Sequence, residues 1–262
     1  MTMTPTSTLS QTQKPEIEWE KLPPDFPLPD DPVDNILQPL LAAILREILE
    51  LAGLISAEML IATNFGLCAK VDGKTVVKAP DWVYVRKVNQ GNENKRSYTP
   101  HLEGEVPLMV MEFLSDTDGG EYSVNPNYPY GKWYFYEKIL EVPFYIIFEP
   151  ESGRLEVYRL ISGHYEKQSP DELGYYWISE MGLYLGVWQG TKTQISGNWL
   201  RWWDSDQNML PLGTEGIEQE RQRTETERQR AQQIQTQFEQ EQQRTTRMAE
   251  YLRSLGVDPD NL

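Results

Sequence analysis

The chain has 262 residues, with 40 acidic against 24 basic side chains and a formal net charge of −16. This length suits one sizeable domain with appended segments, and the acidic balance argues against a strong, sequence-independent grip on phosphate backbones. Cys68 is the only cysteine, which excludes an intrachain disulfide, and the sequence has neither a signal peptide nor a long uninterrupted apolar run. We therefore expect a cytoplasmic protein that does not span a membrane.

The chain opens with a segment, residues 1–34, that is rich in proline and acidic residues, as in KPEIEWEKLPPDFPLPDDPVD. This composition predicts a disordered leader. From Asn35 to Leu54, NILQPLLAAILREILELAGL has apolar residues at three- and four-residue spacing and charges on the remaining face. That periodicity predicts an amphipathic helix, and we interpret the next segment, SAEMLIATNFGL, as its helical continuation.

Five strands are then predicted from alternating or short apolar runs, separated by the turn signals DGK, NQGNEN and ESGR. They are KTVVKA, WVYVRKV, PLMVMEFL, FYIIFEP and RLEVYRL. The segment YGKWYFYEKILE, between the third and fourth strands, predicts a helix long enough to cross a sheet face. Aromatic-rich segments at 182–190 and 198–204 predict further edge strands whose tryptophans close the core. The main domain, residues 35–214, is therefore predicted to be α/β.

From residue 215 to residue 262 the composition shifts to Glu, Gln, Arg and Thr. Acids and bases three and four residues apart predict a solvated helix that projects about 60 Å. Its few apolar residues, Met248, Tyr251, Leu252 and Leu255, either pack back on the domain or form a coiled coil with a second copy. In either case we expect the domain to fold without residues 215–262.

Two carboxylates occupy positions where apolar residues would serve a core better. Asp81 stands at the mouth of one predicted strand, and Glu112 lies in the middle of another. If both side chains reach one point, their repulsion requires a cation such as Mg²⁺, or Mn²⁺, which needs only one or two protein carboxylates. Lys132, at the start of the predicted helix, is the first choice for a lysine beside this site, and Lys138 is the second. The alternative is that Asp81 is a turn residue and Glu112 faces solvent.

A basic run lies in the loop RKVNQGNENKRSY at 86–98. It contains Arg86, Lys87, Lys95 and Arg96, and we expect it to lie beside the carboxylates and to contact the phosphate backbone of DNA. The alternative is an ordinary solvated loop whose basic side chains have no binding role.

The order PDWVYV, PLMVMEFLSD and YGKWYFYEKILEVPFYIIFEPESGRLEVYRLISGHYE resembles the Uma-type family of restriction endonucleases, a branch of the PD-(D/E)XK nuclease superfamily. The resemblance runs from about Asn35 to about Leu212 and implies a restriction-endonuclease-like fold. It also implies that Asp81 and Glu112 are the two motif acids. Leu114 stands where the motif lysine is expected, and in branches with this change the lysine comes from the following helix, which favours Lys132.

The sequence therefore predicts an endonuclease that hydrolyses phosphodiester bonds in DNA. Asp81 and Glu112 hold Mg²⁺, or Mn²⁺, and Lys132 supports the charge that develops in the transition state. The alternative is a catalytically degenerate nuclease fold that acts as a protein-interaction module through its C-terminal helix. The acidic balance and the displaced lysine favour this second interpretation.

Overall fold

The computed structural model describes residues 36–89, 96–115, 120–192 and 194–254, so the predicted leader and Lys95 lie outside the described residues. The first half of the described chain forms helix α1 (Leu37–Leu51) and strands β1 (Leu60–Ala62), β2 (Gly66–Val71), β3 (Lys74–Lys78), β4 (Trp82–Val85), β5 (Ser97–Tyr98) and β6 (Met109–Phe113). The second half begins with helix α2 (Lys132–Tyr134), which continues as a π-helical turn (Phe135–Ile139). It then forms β7 (Phe144–Glu149), β8 (Arg154–Ile161), β9 (His164–Lys167), β10 (Tyr176–Ile178), β11 (Leu183–Lys192), β12 (Ile195–Trp203) and α3 (Gly213–Ser254).

The central sheet has the strand order β1-β4-β6-β7-β8-β9. β6 and β7 are parallel, and the chain between them passes through α2, whereas the other neighbouring strands are antiparallel. Parallel neighbours need a crossover connection of this kind. The predicted α/β class and the predicted crossover helix are both confirmed.

The central sheet is buried on both faces. One face packs against α1 and a second sheet, β10-β11-β12, in a core that includes Trp82, Trp199 and Trp202. The Trp202 indole donates to the Leu45 carbonyl oxygen at 3.2 Å and so joins β12 to α1. The predicted role of the tryptophans in closing the core is confirmed, although β11 and β12 form a long hairpin in the second sheet and not edges of the first.

The opposite face packs against a small sheet, β3-β2-β5, and against α2 with its π-helical turn. Polar side chains reach into this core from β6 and α2.

The predicted helical continuation at SAEMLIATNFGL is wrong. α1 ends near Gly53, whose φ of 69° is the left-handed conformation that commonly terminates helices. The apolar run that follows forms β1, which pairs with β4 through Leu60 and Val85, and the segment ends in the first residues of β2. A short apolar run fits either a helix or a strand. Here it forms a strand because the free edge of β4 offers backbone hydrogen-bond partners.

The predicted C-terminal helix is confirmed as α3, a helix of 42 residues. Met248 and Tyr251 on this helix are both more than half exposed, so these two residues do not pack back on the domain, whereas Leu255 lies outside the described residues. Pairing with a second copy stays a prediction. In the part of the chain that the structure describes, no helix is long and apolar enough to cross a bilayer.

The first turn of α3 belongs to the domain, which revises the expectation that the domain folds without residues 215–262. Arg201 is fully buried, and its guanidinium donates to both carboxylate oxygens of Glu215, at 3.1 and 2.7 Å. A buried charge that loses its partner is strongly destabilising. A truncation at residue 215 would therefore leave Arg201 uncompensated.

We expect Glu215→Ala to lower the free energy of unfolding by about 3 kcal/mol for this reason. Deletion of residues 221–262 should change it by less than about 0.5 kcal/mol, because that part of α3 is solvated. Urea unfolding measures both. Glu225→Ala is the matched control, since its ion pair with Arg228 is exposed and should contribute little to stability. A deletion as costly as Glu215→Ala would contradict this view of α3.

Candidate functional site

Asp81 and Glu112 lie side by side on the same face of the central sheet. β4 and β6 are antiparallel, with Trp82 opposite Met111, so Asp81 falls next to Glu112 just outside the ladder. Trp82 and Met111 point toward α1, and alternation along each strand therefore directs both acids to the opposite face. Asp81 Oδ2 accepts a hydrogen bond from the Phe113 backbone N–H at 2.5 Å, which joins it to the residue that follows Glu112.

Glu112 is 1% exposed, and both of its carboxylate oxygens are bound by side chains from the helix after β6. Lys132 Nζ lies 3.0 Å from Oε2, and the Tyr136 hydroxyl donates to Oε1 at 3.1 Å. The two residues are four apart and so share one face of the helix. Sequence reasoning proposed Lys132 and missed Tyr136, which this four-residue spacing could have identified.

Close packing at the start of α2 positions Lys132. Gly131 lies against Ser123, and a Cβ at Gly131 would stand 2.0 Å from the Ser123 carbonyl oxygen, so a larger residue cannot be accommodated. After one turn the helix widens into the π-helical turn, a feature that often occurs at functional sites. Both features fix the helix face that carries Lys132 and Tyr136.

A third carboxylate, Glu121, was missed by the sequence analysis because it lies in a loop without periodicity. It is 3% exposed, and its Oε1 is 3.2 Å from Lys132 Nζ. The Tyr145 hydroxyl donates to its backbone carbonyl at 2.9 Å and holds it in place. Lys132 therefore bridges Glu112 and Glu121, while Glu121 Oε2 is buried without a hydrogen-bond partner among the described residues.

The surroundings of Glu112 and Lys132 raise the pKa of both groups, but with opposite effects on charge. Glu112 is a buried acid close to other acids, which disfavours its charged form, whereas Lys132 lies between carboxylates, which favour its charged form. Burial raises the pKa of Glu112 to about 8; Lys132 opposes this rise, and the charges of Asp81 and Glu121 add to it. Burial lowers the pKa of the Lys132 amine, but the carboxylates of Glu112 and Glu121 outweigh this effect and raise it overall. Lys132 therefore stays charged at neutral pH, and ionised Glu112 lacks sufficient compensating charge.

Lys78 is a second lysine close to the pair, and sequence reasoning missed it although it lies three residues before Asp81. It ends β3 and is partly buried. Burial lowers the pKa of its amine, the positive charge of Lys132 lowers it further, and the charge of Glu112 opposes the change. Lys78 is thus within electrostatic range of the site, but it does not contact Glu112 as Lys132 does.

Leu114 and Lys138 occupy the two other positions considered for a lysine beside the carboxylates. Leu114 follows Glu112 on the same face of the strand and packs into the apolar core beneath α2. Lys138, the second choice, lies on another face of the helix, where its amine donates to the Gly163 carbonyl oxygen and pairs with Glu137. Only Lys132 reaches Glu112 among these three positions.

The first residues of the basic loop and Asp81 lie at opposite ends of β4. Arg86 and Lys87 follow the C-terminal end of β4, whereas Asp81 precedes its N-terminal end, a separation of about 16 Å along the strand. Arg86 is paired with Glu105 at 3.5 Å, Arg96 is exposed, and Lys95 lies outside the described residues. Arg86 and Lys87 therefore follow the end of β4 opposite to Asp81, and DNA contact by this loop stays a prediction.

The donor groups of the site fit a hard divalent cation. Carboxylate oxygens are the ligands that Mg²⁺ and Mn²⁺ prefer, and the buried, unpartnered Oε2 of Glu121 adds a further acceptor close by. In the described ranges, no three side chains of the metal-ligating types are already gathered around one point. An ion held here by Asp81 and Glu112 would complete its coordination with water and substrate oxygens.

Comparison with protein-family models places these residues in a known family. Residues 28–194, more than half of the chain, match the model named Uma2, whose description reads "Putative restriction endonuclease". The matched range contains Asp81, Glu112, Glu121 and Lys132 and ends before α3. No curated protein matches the chain.

Proposed function

Because the chain belongs to the Uma2 family and has a restriction-endonuclease-like fold, we propose that it hydrolyses phosphodiester bonds in DNA with Mg²⁺ or Mn²⁺. One observation carries this proposal. Asp81 and Glu112 share one face of the central sheet, and Lys132 Nζ lies 3.0 Å from Glu112 Oε2. Two acids and a lysine in this arrangement suit the attack of water on a phosphate.

Each side chain has a role that follows from its contacts. Asp81 and Glu112 would hold the cation, which when bound supplies a water of lowered pKa and neutralises charge on the phosphate. Tyr136 orients Glu112 through its hydrogen bond to Oε1. Lys132 offers a fixed positive charge to the phosphate oxygens, where negative charge develops as the water oxygen bonds to phosphorus and the bond to the leaving oxygen breaks.

Glu121 gives Lys132 a second anchor. The Lys132 amine lies 3.2 Å from Glu121 Oε1, and this contact would remain if a cation engaged the oxygens of Glu112. Glu121 would then hold the charged amine beside the phosphate and keep it from solvent. Positioning of this kind lowers the reorganisation needed during the reaction.

Nicking of supercoiled DNA by the full-length protein tests the proposal. We expect nicking with Mg²⁺ or Mn²⁺ and none with a chelator. No nicking with either ion would overturn the proposed function. If the ions raise the thermal unfolding temperature of such an inactive protein, the alternative of a degenerate nuclease fold is supported.

Lys132→Ala should reduce the nicking rate about 10²- to 10³-fold, the usual effect of removing one group that stabilises transition-state charge. Lys138→Ala is the matched control, because Lys138 lies on the same helix but contacts Gly163 and Glu137. The control should nick at the parental rate. Equal rates for Lys132→Ala and the parent protein would remove Lys132 from the proposed mechanism.

A further inference from the structure

A lysine-bearing aromatic surface lies next to the proposed site and has no role in the mechanism above. It consists of Lys74 and Lys78 on β3 and Tyr128 in the loop before α2, and we call it the hairpin surface. The segment 70–78 contains three lysines and one acid, Asp72, although the whole chain has a net charge of −16. The hairpin surface is therefore a local basic feature on an acidic protein.

Tyr128 is the exposed aromatic residue of this surface. Its side chain is 56% exposed, and Lys74 Nζ lies 4.7 Å from the centre of its ring. A ring held in this way by a lysine combines a flat apolar face with a positive charge. That pair of features suits a nucleotide, which offers a base to stack on and a phosphate to neutralise.

Aromatic contacts connect the Tyr128 ring to α2. Tyr128 packs edge-on against Tyr130 at 6.3 Å between ring centres, and Tyr130 stacks on Tyr134 of α2 at 5.9 Å. The Tyr130 hydroxyl also approaches Asp72 of the β2–β3 turn at 3.4 Å. Tyr128 is therefore connected both to the helix that carries Lys132 and to the hairpin that carries Lys74 and Lys78.

The two lysines lie between the Tyr128 ring and the proposed site, with Lys74 at the ring and Lys78 nearer to Glu112. Lys74 and Lys78 lie on the same side of β3, about 13 Å apart along the strand, and Lys78 is within electrostatic range of Glu112 and Lys132. Nucleotides stacked as in B-DNA rise about 3.4 Å along one strand and unstacked nucleotides lie farther apart, so this separation along β3 corresponds to no more than about four nucleotides. One strand could thus contact the ring, both lysines and the site in turn.

Resting on the proposed function, we propose that the hairpin surface binds an unpaired segment of a DNA strand, with one base stacked on Tyr128 and phosphates neutralised by Lys74 and Lys78. A base inside a duplex is stacked on its neighbours and reaches a protein ring only after costly unstacking. The surface therefore favours single-stranded DNA, or a frayed end, over a continuous duplex.

Fluorescence anisotropy with a labelled oligonucleotide, single-stranded or annealed to its complement, tests the inference. Glu112→Gln is present throughout to prevent cleavage. Tyr128→Ala in this background should weaken single-strand binding about 5- to 100-fold, the loss expected for one stacked base, with a much smaller effect on the duplex. Tyr128→Phe keeps the ring and should keep the affinity. Tyr251→Ala, which removes an exposed tyrosine of α3, is the matched control and should have no effect.

Lys74→Ala provides a second, independent measurement. It should weaken binding and reduce the slope of log affinity against log salt concentration by about one. Equal affinities for Tyr128→Ala and its parent, equal losses on single strand and duplex, or an unchanged salt slope for Lys74→Ala would each overturn the inference. If the wild-type protein nicks DNA in any of these cases, the proposed function stands without the hairpin surface; if it neither nicks nor binds DNA, both fail.

Discussion

Glu112→Gln is expected to abolish Mg²⁺-dependent nicking, with a rate loss of at least about 10²- to 10³-fold, and to remove most of the thermal stabilisation by Mg²⁺. The substitution keeps the shape of the side chain and its contact with Tyr136, but it removes the charge that would hold the cation. At a concentration 100 times the dissociation constant, a bound ion stabilises a folded protein by about 2.7 kcal/mol. Nicking assays and thermal unfolding, with and without Mg²⁺ or Mn²⁺, measure both effects.

Asp81→Asn should have the same two effects, since Asp81 shares the face of the sheet with Glu112. Glu137→Gln is the control, because Glu137 is another buried glutamate, which pairs with Lys138 and not with Lys132. It should retain both nicking and stabilisation by the ions. If Glu112→Gln responds to Mg²⁺ as the parent protein does, the carboxylates do not form a metal site.

Without metal, the stability of the parent protein relative to Glu112→Gln should fall as the pH rises from about 4.5 to about 8. Burial raises the pKa of Glu112 from 4.5 to about 8 in the folded state, so between these values the folded protein holds a proton that the unfolded chain has lost. The contribution of this proton to stability is complete below the unfolded pKa and is lost as the pH passes the folded pKa. The slope is at most about 1.4 kcal/mol per pH unit.

Urea unfolding at several pH values in the presence of a chelator measures this difference. Glutamine does not titrate, so Glu112→Gln should show a flatter profile and should be the more stable protein at pH 8. Asp81→Asn should leave the onset of the fall unchanged, but the fall should end at a lower pH and be smaller, because one of the charges that raise the pKa of Glu112 in the folded protein is gone. Parallel profiles for the parent and Glu112→Gln would mean that Glu112 has an ordinary pKa in the folded protein.

The elements of the domain could largely be predicted from sequence, because long periodic segments leave few alternatives. The amphipathic pattern predicted α1, the apolar runs predicted β4, β6, β7 and β8, and the charged composition predicted α3. The SAEMLIATNFGL segment failed because a short apolar run fits a helix or a strand equally well. The exposed edge of β4, which no local pattern reveals, made it a strand.

For the site, the sequence alone determined which acids stand out, since Asp81 and Glu112 interrupt apolar strands where a charge is costly. Family resemblance then pointed to Lys132, because Leu114 occupies the usual lysine position. Only the tertiary structure decided that Glu121 joins them and that the helix face with Lys132 and Tyr136 lies against Glu112. These contacts join residues distant in sequence, and their positions depend on strand order and on packing around α2. Strand order and helix packing are set by the burial of whole faces, so a local pattern of residues cannot specify them.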